Sequence, residues 1–497
     1  MKTIVNKLEK VMFLALFLSS GIVAGQGTGV LYTCNDAYSY WNIVRHGPYG
    51  FVNVSKPSGS AGIHLSLTGL VTMIDAFFPD NYDVLDMEIL DDTVFFCGQY
   101  IPGGSGFIGW FDINDLFYSS GSIHIDNSLA TLGLKDLRNI EVFRDQRGKA
   151  HVVGFGLHDV LPSKQYYAFE AVGYPVLGMC YKTTDLFNDG DWSDIRNVVV
   201  TDNYVVVMES DRTNPCLQHS GYCIKLKAFN KNDMFAASYF TECYFQTITN
   251  SYIYDMGCGH VVGDNNDPYN WEAKMVHIGA DKVAVCSYRH DWDNSNWQAF
   301  GCDPCDCGGP SYVDNHYLAH RIYDISPIQI NQPMVMISAA VAQLPGDFSN
   351  IDCFLYDSQQ KTYIVQHRLE TSPGVSETAF TTLDFSTGST PMYAVADYQT
   401  FVNTSTGWMP ESMCLFGGGG YLVSGRDLTN FSHLFWKSYI NNVDGNCDKH
   451  QFYPMVDIPT YDAKKNQYLI NASMAYLVFD ELFPSEVREI EVPVKCF

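Results

Sequence analysis

The stretch Asp86 to Gly98, DMEILDDTVFFCG, reads as two short strands around a tight reversal. Met87 and Ile89 alternate with polar residues, Val94, Phe95 and Phe96 make a second apolar run, and Asp91-Asp92 between them has turn chemistry. The pattern returns along the chain. Asn139–Gly156 (NIEVFRDQRGKAHVVGFG), Asn197–Ser210 (NVVVTDNYVVVMES), Lys274–Arg289 (KMVHIGADKVAVCSYR), Ile351–Arg368 (IDCFLYDSQQKTYIVQHR) and Ser412–Arg426 (SMCLFGGGGYLVSGR) all spell apolar strand, polar or glycine turn, apolar strand.

Between Met87, Ile140, Val198, Met275, Ile351 and Met413 the intervals are 53, 58, 77, 76 and 62 residues. Four strands with their turns need roughly 40 to 50 residues, which is one propeller blade, and the surplus goes to loops. Three stretches that follow the repeat, Gly106–Phe117 (GFIGWFDINDLF), Val176–Phe187 (VLGMCYKTTDLF) and Tyr222–Phe235 (YCIKLKAFNKNDMF), run an apolar strand into an Asp, Leu or Met, Phe ending. Helical periodicity is almost absent. The expected fold is therefore all-β, a single β-propeller of six or seven four-stranded blades over residues 26–497, with a long loop insertion at about 287–320. Six repeats are countable, Met455–Ala472 is a candidate seventh or the closing strands, and Thr28–Gly62 is expected to lend a strand or two to the far end of the array.

With these residues in view, the chain resembles the exported β-propeller proteins found in many copies in gut Bacteroidota. The resemblance rests on DMEILDDTVFFCG and the GFIGWFDINDLF that follows it, and it implies a fold and an export route. It transfers no catalytic residue.

The first 25 residues have the make-up of an export signal: Lys2, Lys7 and Lys10, then the apolar run Val11–Leu18, then Val23-Ala24-Gly25. No later stretch approaches 18 uninterrupted apolar residues, so no transmembrane segment is expected in the mature chain. A periplasmic, cell-surface or secreted location follows. The formal charge is -25, and an acidic surface repels phosphate backbones, which argues against nucleic acid as a partner. Fifteen cysteines in an exported chain suggest disulfides, with at least one thiol left over. Cys97, Cys180, Cys286, Cys353 and Cys414 fall inside apolar runs, where a buried free thiol is one reading. Cys216 with Cys223 bracket a short loop, Cys302, Cys305 and Cys307 form a knot, and Cys34 and Cys496 lie at opposite ends; these seven are the disulfide candidates.

The insertion carries the candidate ligand site. Arg289, His290, Asp291, Trp292, Asp293 and Trp297 mix aromatic plates with polar groups, as sugar sites do, because a Trp face stacks on a sugar ring while carboxylates take its hydroxyls. The alternative is that the two Trp side chains simply pack the loop onto its blade. Asp291, Asp293 and Ser295 have the alternate spacing of a Ca²⁺ loop but lack its glycine and its final acid, and Asp264–Asp267 is a second oxygen-rich stretch. No other cofactor is indicated. Cys302, Cys305 and Cys307 with His316 or His320 also have zinc-compatible spacing, set against the disulfide reading that export favours.

The sequence holds no G-x-S-x-G elbow, no H-E-x-x-H and no P-loop. The leading expectation is a binding protein for a glycan or a surface protein. The alternatives are a polysaccharide hydrolase or lyase whose carboxylates meet only in the folded ring, and a structural or adhesion platform.

Overall fold

A strand with apolar residues on alternate positions needs partners on both edges and a second layer against its apolar face. The computed structural model meets that need with 33 β-strands and no α-helix among its described residues. Those residues are the strands named below and positions 91–92, 101, 104, 145–149, 201–203, 231–232, 280–281, 325–327, 334, 358–359 and 361. No helix among them is long and apolar enough to cross a membrane.

The first described strand is β1 (Val30–Cys34). Unit 1 is β2 (Ser39–His46), β3 (Tyr49–Ser55), β4 (Ala61–Leu67) and β5 (Thr72–Phe77). Unit 2 is β6 (Tyr82–Leu90), β7 (Thr93–Tyr100), β8 (Ser105–Asp112) and β9 (Ser120–Ile125). Unit 3 is β10 (Leu134–Arg144), β11 (Ala150–Val160), β12 (Ser163–Val172) and β13 (Cys180–Asp185). Unit 4 is β14 (Asp194–Val200), β15 (Tyr204–Asp211), β16 (Cys223–Asn230) and β17 (Tyr239–Gln246). Unit 5 is β18 (Ala273–Gly279), β19 (Lys282–Asp293), β20 (Val313–Asp324) and β21 (Val335–Gln343). Unit 6 is β22 (Asp347–Asp357), β23 (Thr362–Ser372), β24 (Val375–Asp384) and β25 (Val395–Asn403). Unit 7 has β26 (Trp408–Gly417), β27 (Gly420–Asp427) and β28 (His433–Tyr439). After these come β29 (His450–Asp457), β30 (Gln467–Leu469), β31 (Leu477–Asp480), β32 (Glu486–Glu491) and β33 (Val494–Cys496).

Every unit is an antiparallel meander paired in chain order. Unit 7 takes its fourth strand from the other end of the sequence: β1 pairs with β28, Val30 opposite Lys437 and Cys34 opposite His433. Seven such units stand among the described residues, and the one that the repeat pattern does not reveal is Ser39–Phe77, not 455–472. Its first hairpin closes over Gly47-Pro48, His46 opposite Tyr49, between strands that mix polar and aromatic residues and so hide the apolar–turn–apolar spelling. Thr28–Gly62 accordingly supplies β1 to unit 7 and β2, β3 and the start of β4 to unit 1.

The first strands of successive units touch in order. β2 meets β6, β6 meets β10, β10 meets β14, β14 meets β18, β18 meets β22, β22 meets β26, and β26 meets β2 again. Hydrophobic clusters fill the units and run across the joints between them. Tyr82, Val84, Met87, Phe96, Phe107 and Phe111 of unit 2 pack with Val44 of unit 1. Ile195, Val198, Val205 and Val207 of unit 4 pack on Phe143, Val153 and Phe155 of unit 3. Tyr204, Val206, Met208 and Leu226 pack on Met275, Val283, Val285 and Tyr323 of unit 5. Each such side chain contributes roughly 1.5–3 kcal/mol by leaving water, so the joints between sheets carry much of the stability. Polar links at the turns add to them: Arg144 pairs with Asp91 across units 3 and 2. Asp281 of unit 5 accepts from the Thr201 hydroxyl at 3.0 Å and from the Asn203 backbone and side-chain amides at 2.8 and 2.7 Å.

Candidate functional site on the first strands

Five of the first strands open on a break in register. Pairing skips one residue between Val84 and Asp86, Leu137 and Asn139, Ile195 and Asn197, Ile351 and Cys353, and Pro410 and Ser412. A bulge re-aims the side chain that follows it. Here three of those side chains reach the next unit. Asp86 Oδ2 accepts from the Ile140 N–H at 2.9 Å, Asn197 Oδ1 accepts from the Met275 N–H at 2.6 Å, and Cys353 Sγ donates to the Met413 carbonyl at 3.5 Å.

Counted from the bulge, the third residue is Glu88, Glu141, Val199, Leu355 or Cys414, and Val276 holds the same place in β18. Cys414 is 9% exposed and the other five are all partly exposed. Two adjacent strands therefore present carboxyl groups where four others present apolar side chains or a thiol. Burial is the largest cause that pushes the Glu88 pKa up to about 7, with the charge of Asp86 adding to it and the Ile89 N–H, at 3.0 Å, opposing it. Glu141 is held well above the usual carboxylate range by burial first, then by Glu88 and Asp86. Asp86 itself accepts two backbone N–H bonds, from Met87 and Ile140, each at 2.9 Å. Near neutral pH such a pair retains a proton between its members, so it can donate and accept hydrogen bonds and can protonate a departing oxygen.

Other titratable groups serve packing. His151, 5% exposed, bonds through Nδ1 to Glu170 Oε1 at 2.7 Å, its Nε2 lies 3.4 Å from Asp145 Oδ2, and its ring stacks on Phe143. Burial works against the imidazolium, but the bond to Glu170 and the two nearby charges outweigh it and raise the pKa. In unit 5, the fully buried Arg321 donates from Nη1 to Ser287 Oγ at 2.8 Å. His320 stands edge-on to Tyr363 of unit 6 at 4.5 Å and is pushed down to about 3 by burial and by Arg321. His367, bonded to Thr381 Oγ1 at 2.7 Å, is lowered to about 3 by burial alone. Among the described residues no group of three or more His, Cys, Asp or Glu could hold a metal ion.

The residues singled out from sequence fall differently. Arg289, His290, Asp291, Trp292 and Asp293 do not sit in a loop: they continue β19 and pair with Tyr317, His316, Asn315, Asp314 and Val313 of β20. The two ends of the expected insertion at 287–320 are thus paired strand, while residues 294–312, with Ser295, Trp297, Cys302, Cys305 and Cys307, lie outside the described residues. Cys223 begins β16 opposite Asp211 and Gln246, while Cys216 and Asp264–Asp267 are outside the described residues. Cys34 and Cys496 are on neighbouring strands, with Val30 opposite Cys496. Of the five cysteines in apolar runs, Cys97, Cys286 and Cys414 are buried and Cys353 is half-buried, Cys97 donating to the Leu137 carbonyl at 3.3 Å, while the side chain of Cys180 lies outside the described residues. Sequence reasoning passes over Glu88, although it stands in the quoted stretch, and over Glu141. The available signal is that both occupy the same repeat position, which is visible only once the bulge fixes the register.

No protein-family model matches this chain, and no curated protein matches it in sequence. Among solved structures, an ulvan lyase of polysaccharide lyase family PL25 is similar over 81% of this chain and 95% of its own, with 9% identity. Its TM-score is 0.36 in the complex with -[GlcA(1-4)Rha3S]- and 0.35 in a second structure. A GH43 β-1,3-galactosidase is similar over 86% of this chain and 93% of its own, with 10% identity and a TM-score of 0.22. Likeness at this level carries over no residue role.

Proposed function

We propose that the seven units form one seven-bladed β-propeller, exported from the cell, that binds an uncharged glycan at its first strands around Glu88 and Glu141. The cyclic order of first-strand contacts and the completion of unit 7 by β1 support the propeller. The observation that carries the ligand reading is the pair of proton-retaining carboxyls set among Val199, Val276 and Leu355. A carboxyl pair that shares a proton bonds hydroxyls in both directions, and apolar neighbours pack against the C–H face of a sugar. An anionic ligand would meet Asp86 and a chain of net charge -25. The long β19–β20 hairpin, bearing Arg289 to Asp293, offers a second contact surface for the same ligand, and Asp291 and Asp293 leave open a Ca²⁺ requirement.

A second reading is favoured by one observation: a glutamate titrating near 7 is matched to general-acid work at neutral pH. On that reading water attacks the anomeric carbon as the glycosidic C–O bond breaks, the proton held by the pair going to the leaving oxygen and the water returning one to the pair. A panel of neutral and uronate-containing oligosaccharides, assayed for binding and for new reducing ends with and without Ca²⁺, separates the readings. Binding of neutral glycans that weakens about tenfold in Glu88→Gln, with no new ends, supports recognition. Release of reducing ends that is lost in Glu88→Gln supports hydrolysis, and a panel that neither binds nor is cut overturns both.

A further inference from the structure

The five strands that follow β28 do not build a further unit. All of them lie on outer edges of units already complete. β29 pairs with β25 of unit 6 along one side, Val395 opposite Pro454, and with β21 of unit 5 along the other, Val341 opposite Val456. It thereby joins two meanders into one nine-stranded sheet. β30 then lies on β17 of unit 4, Phe240 opposite Tyr468. β31 lies on β9 of unit 2, β32 on β5 of unit 1, and β33 on β1, the outer strand of unit 7. The strands β29 to β33 thus lie on units 6 and 5, then 4, 2 and 1, the reverse of the order in which the chain built these, and finally on unit 7.

An outer strand without a neighbour presents a row of open N–H and C=O groups, which is a template for another chain. Six units have that template filled by the same segment. Most of the ladders that fill it are short, with three residue pairs at β30, at β33 and on the β21 side of β29 and four at β31, while β32 has six, one more than the β4–β5 ladder within unit 1. Short ladders open locally at low free energy, and the covalent tether returns them, because a linked strand is at a high effective concentration near its edge.

We propose that residues 450–496 are a detachable strap that covers the units' outer edges and so keeps a second copy of this chain from pairing there. The partner that fits an uncovered edge best is the strap of another copy, since it carries the same sequence in the same register, and mutual exchange of straps gives a closed dimer. The strap also holds units 5 and 6 together through β29, so its release loosens that joint first.

The test uses the full chain with a specific protease site placed between Tyr439 and His450, cleaved after folding. The expected result is that the C-terminal piece stays bound at monomer mass. In urea below the unfolding midpoint it should exchange with a labelled synthetic peptide covering 450–497. Washed free of the piece, the remainder should dimerise or associate further, and added peptide should return it to monomer. Hydrogen exchange on the uncut chain should show β5, β9 and β17 opening together with β29 to β33, at least 100-fold faster than β6 and β10. A released core that stays monomeric overturns the proposal, as does a piece that leaves only when the first strands unfold. A cleaved protein that unfolds outright also overturns it, because the segment is then part of the core.

Discussion

Asp86 shows how one position does two jobs. The link from the residue after the bulge to the next unit needs only an acceptor oxygen, and Asn197 supplies it to Met275 with a neutral amide. Asp86 makes the same link to Ile140 with a charge that raises its neighbours Glu88 and Glu141. Asp86→Asn should therefore cost at most about 1 kcal/mol of stability, the worth of one hydrogen bond, while the Glu88 carboxyl, followed by carbon NMR through a pH titration, titrates below 7. An unmoved titration would show that burial alone sets it. Glu88 also couples pH to stability: its folded-state pKa of about 7 exceeds the ordinary 4.5, so stability falls as pH rises between them. His151 has the opposite charge and also a raised pKa, so its contribution is complete below 6.5 and is lost as pH rises through its folded-state value. His151→Ala should cost about 3 kcal/mol at pH 6 by stranding Glu170, and urea midpoints should lose part of their decline above pH 6.5.

The hairpin between first and second strands is the element that decides each unit. The β6–β7 reversal places Asp91 at φ 53°, a conformation that Asp tolerates. The β18–β19 turn places Ala280 at φ 48°, where its Cβ crowds the carbonyl that follows. Only backbone and neighbouring groups depend on this residue: its carbonyl accepts from Asp202 and from the His277 ring. Ala280→Gly keeps both bonds and should stabilise the protein by about 0.5–1 kcal/mol, a gain in melting temperature that calorimetry can read. A loss of stability would mean that the entropy of the unfolded glycine outweighs the relieved crowding.

At the scale of the molecule, the units depend on one another. A single sheet of this size has a face to bury and no layer inside its own unit to bury it against, so Phe143 packs with Val198 and Met208 with Met275 across joints. The polar joint at Asp281 ties two units, holding Thr201 and Asn203 with three bonds at 5% exposure. Asp281→Ala leaves those donors without their acceptor and should cost about 2–3 kcal/mol. Hydrogen exchange should then report lost protection in β14 as well as β18; loss confined to β18 would mean that the units fold independently.

The sequence by itself determined the all-β class and the position of six hairpins, because period-two alternation and turn residues act over a few neighbours and are written locally. It also offered burial as one reading of Cys97, Cys180, Cys286, Cys353 and Cys414 from their apolar flanks; Cys97, Cys286 and Cys414 are buried, and Cys353 is half-buried. It did not reveal unit 1 as a unit, because its first hairpin mixes polar and aromatic residues around Gly47-Pro48 and lacks the apolar–turn–apolar spelling, nor that Arg289 to Asp293 prolong a strand, because polar residues are neutral between loop and a ladder whose partner is some 25 residues away. Only the tertiary structure decided which side chains meet. Glu88 and Glu141 are 53 residues apart in the chain, and they couple because the fold sets β6 and β10, first strands of neighbouring units, side by side. The role of residues 450–496 was decided there too, since a short strand carries no mark of the edge it will cover; the open N–H and C=O groups that choose it belong to strands hundreds of residues earlier.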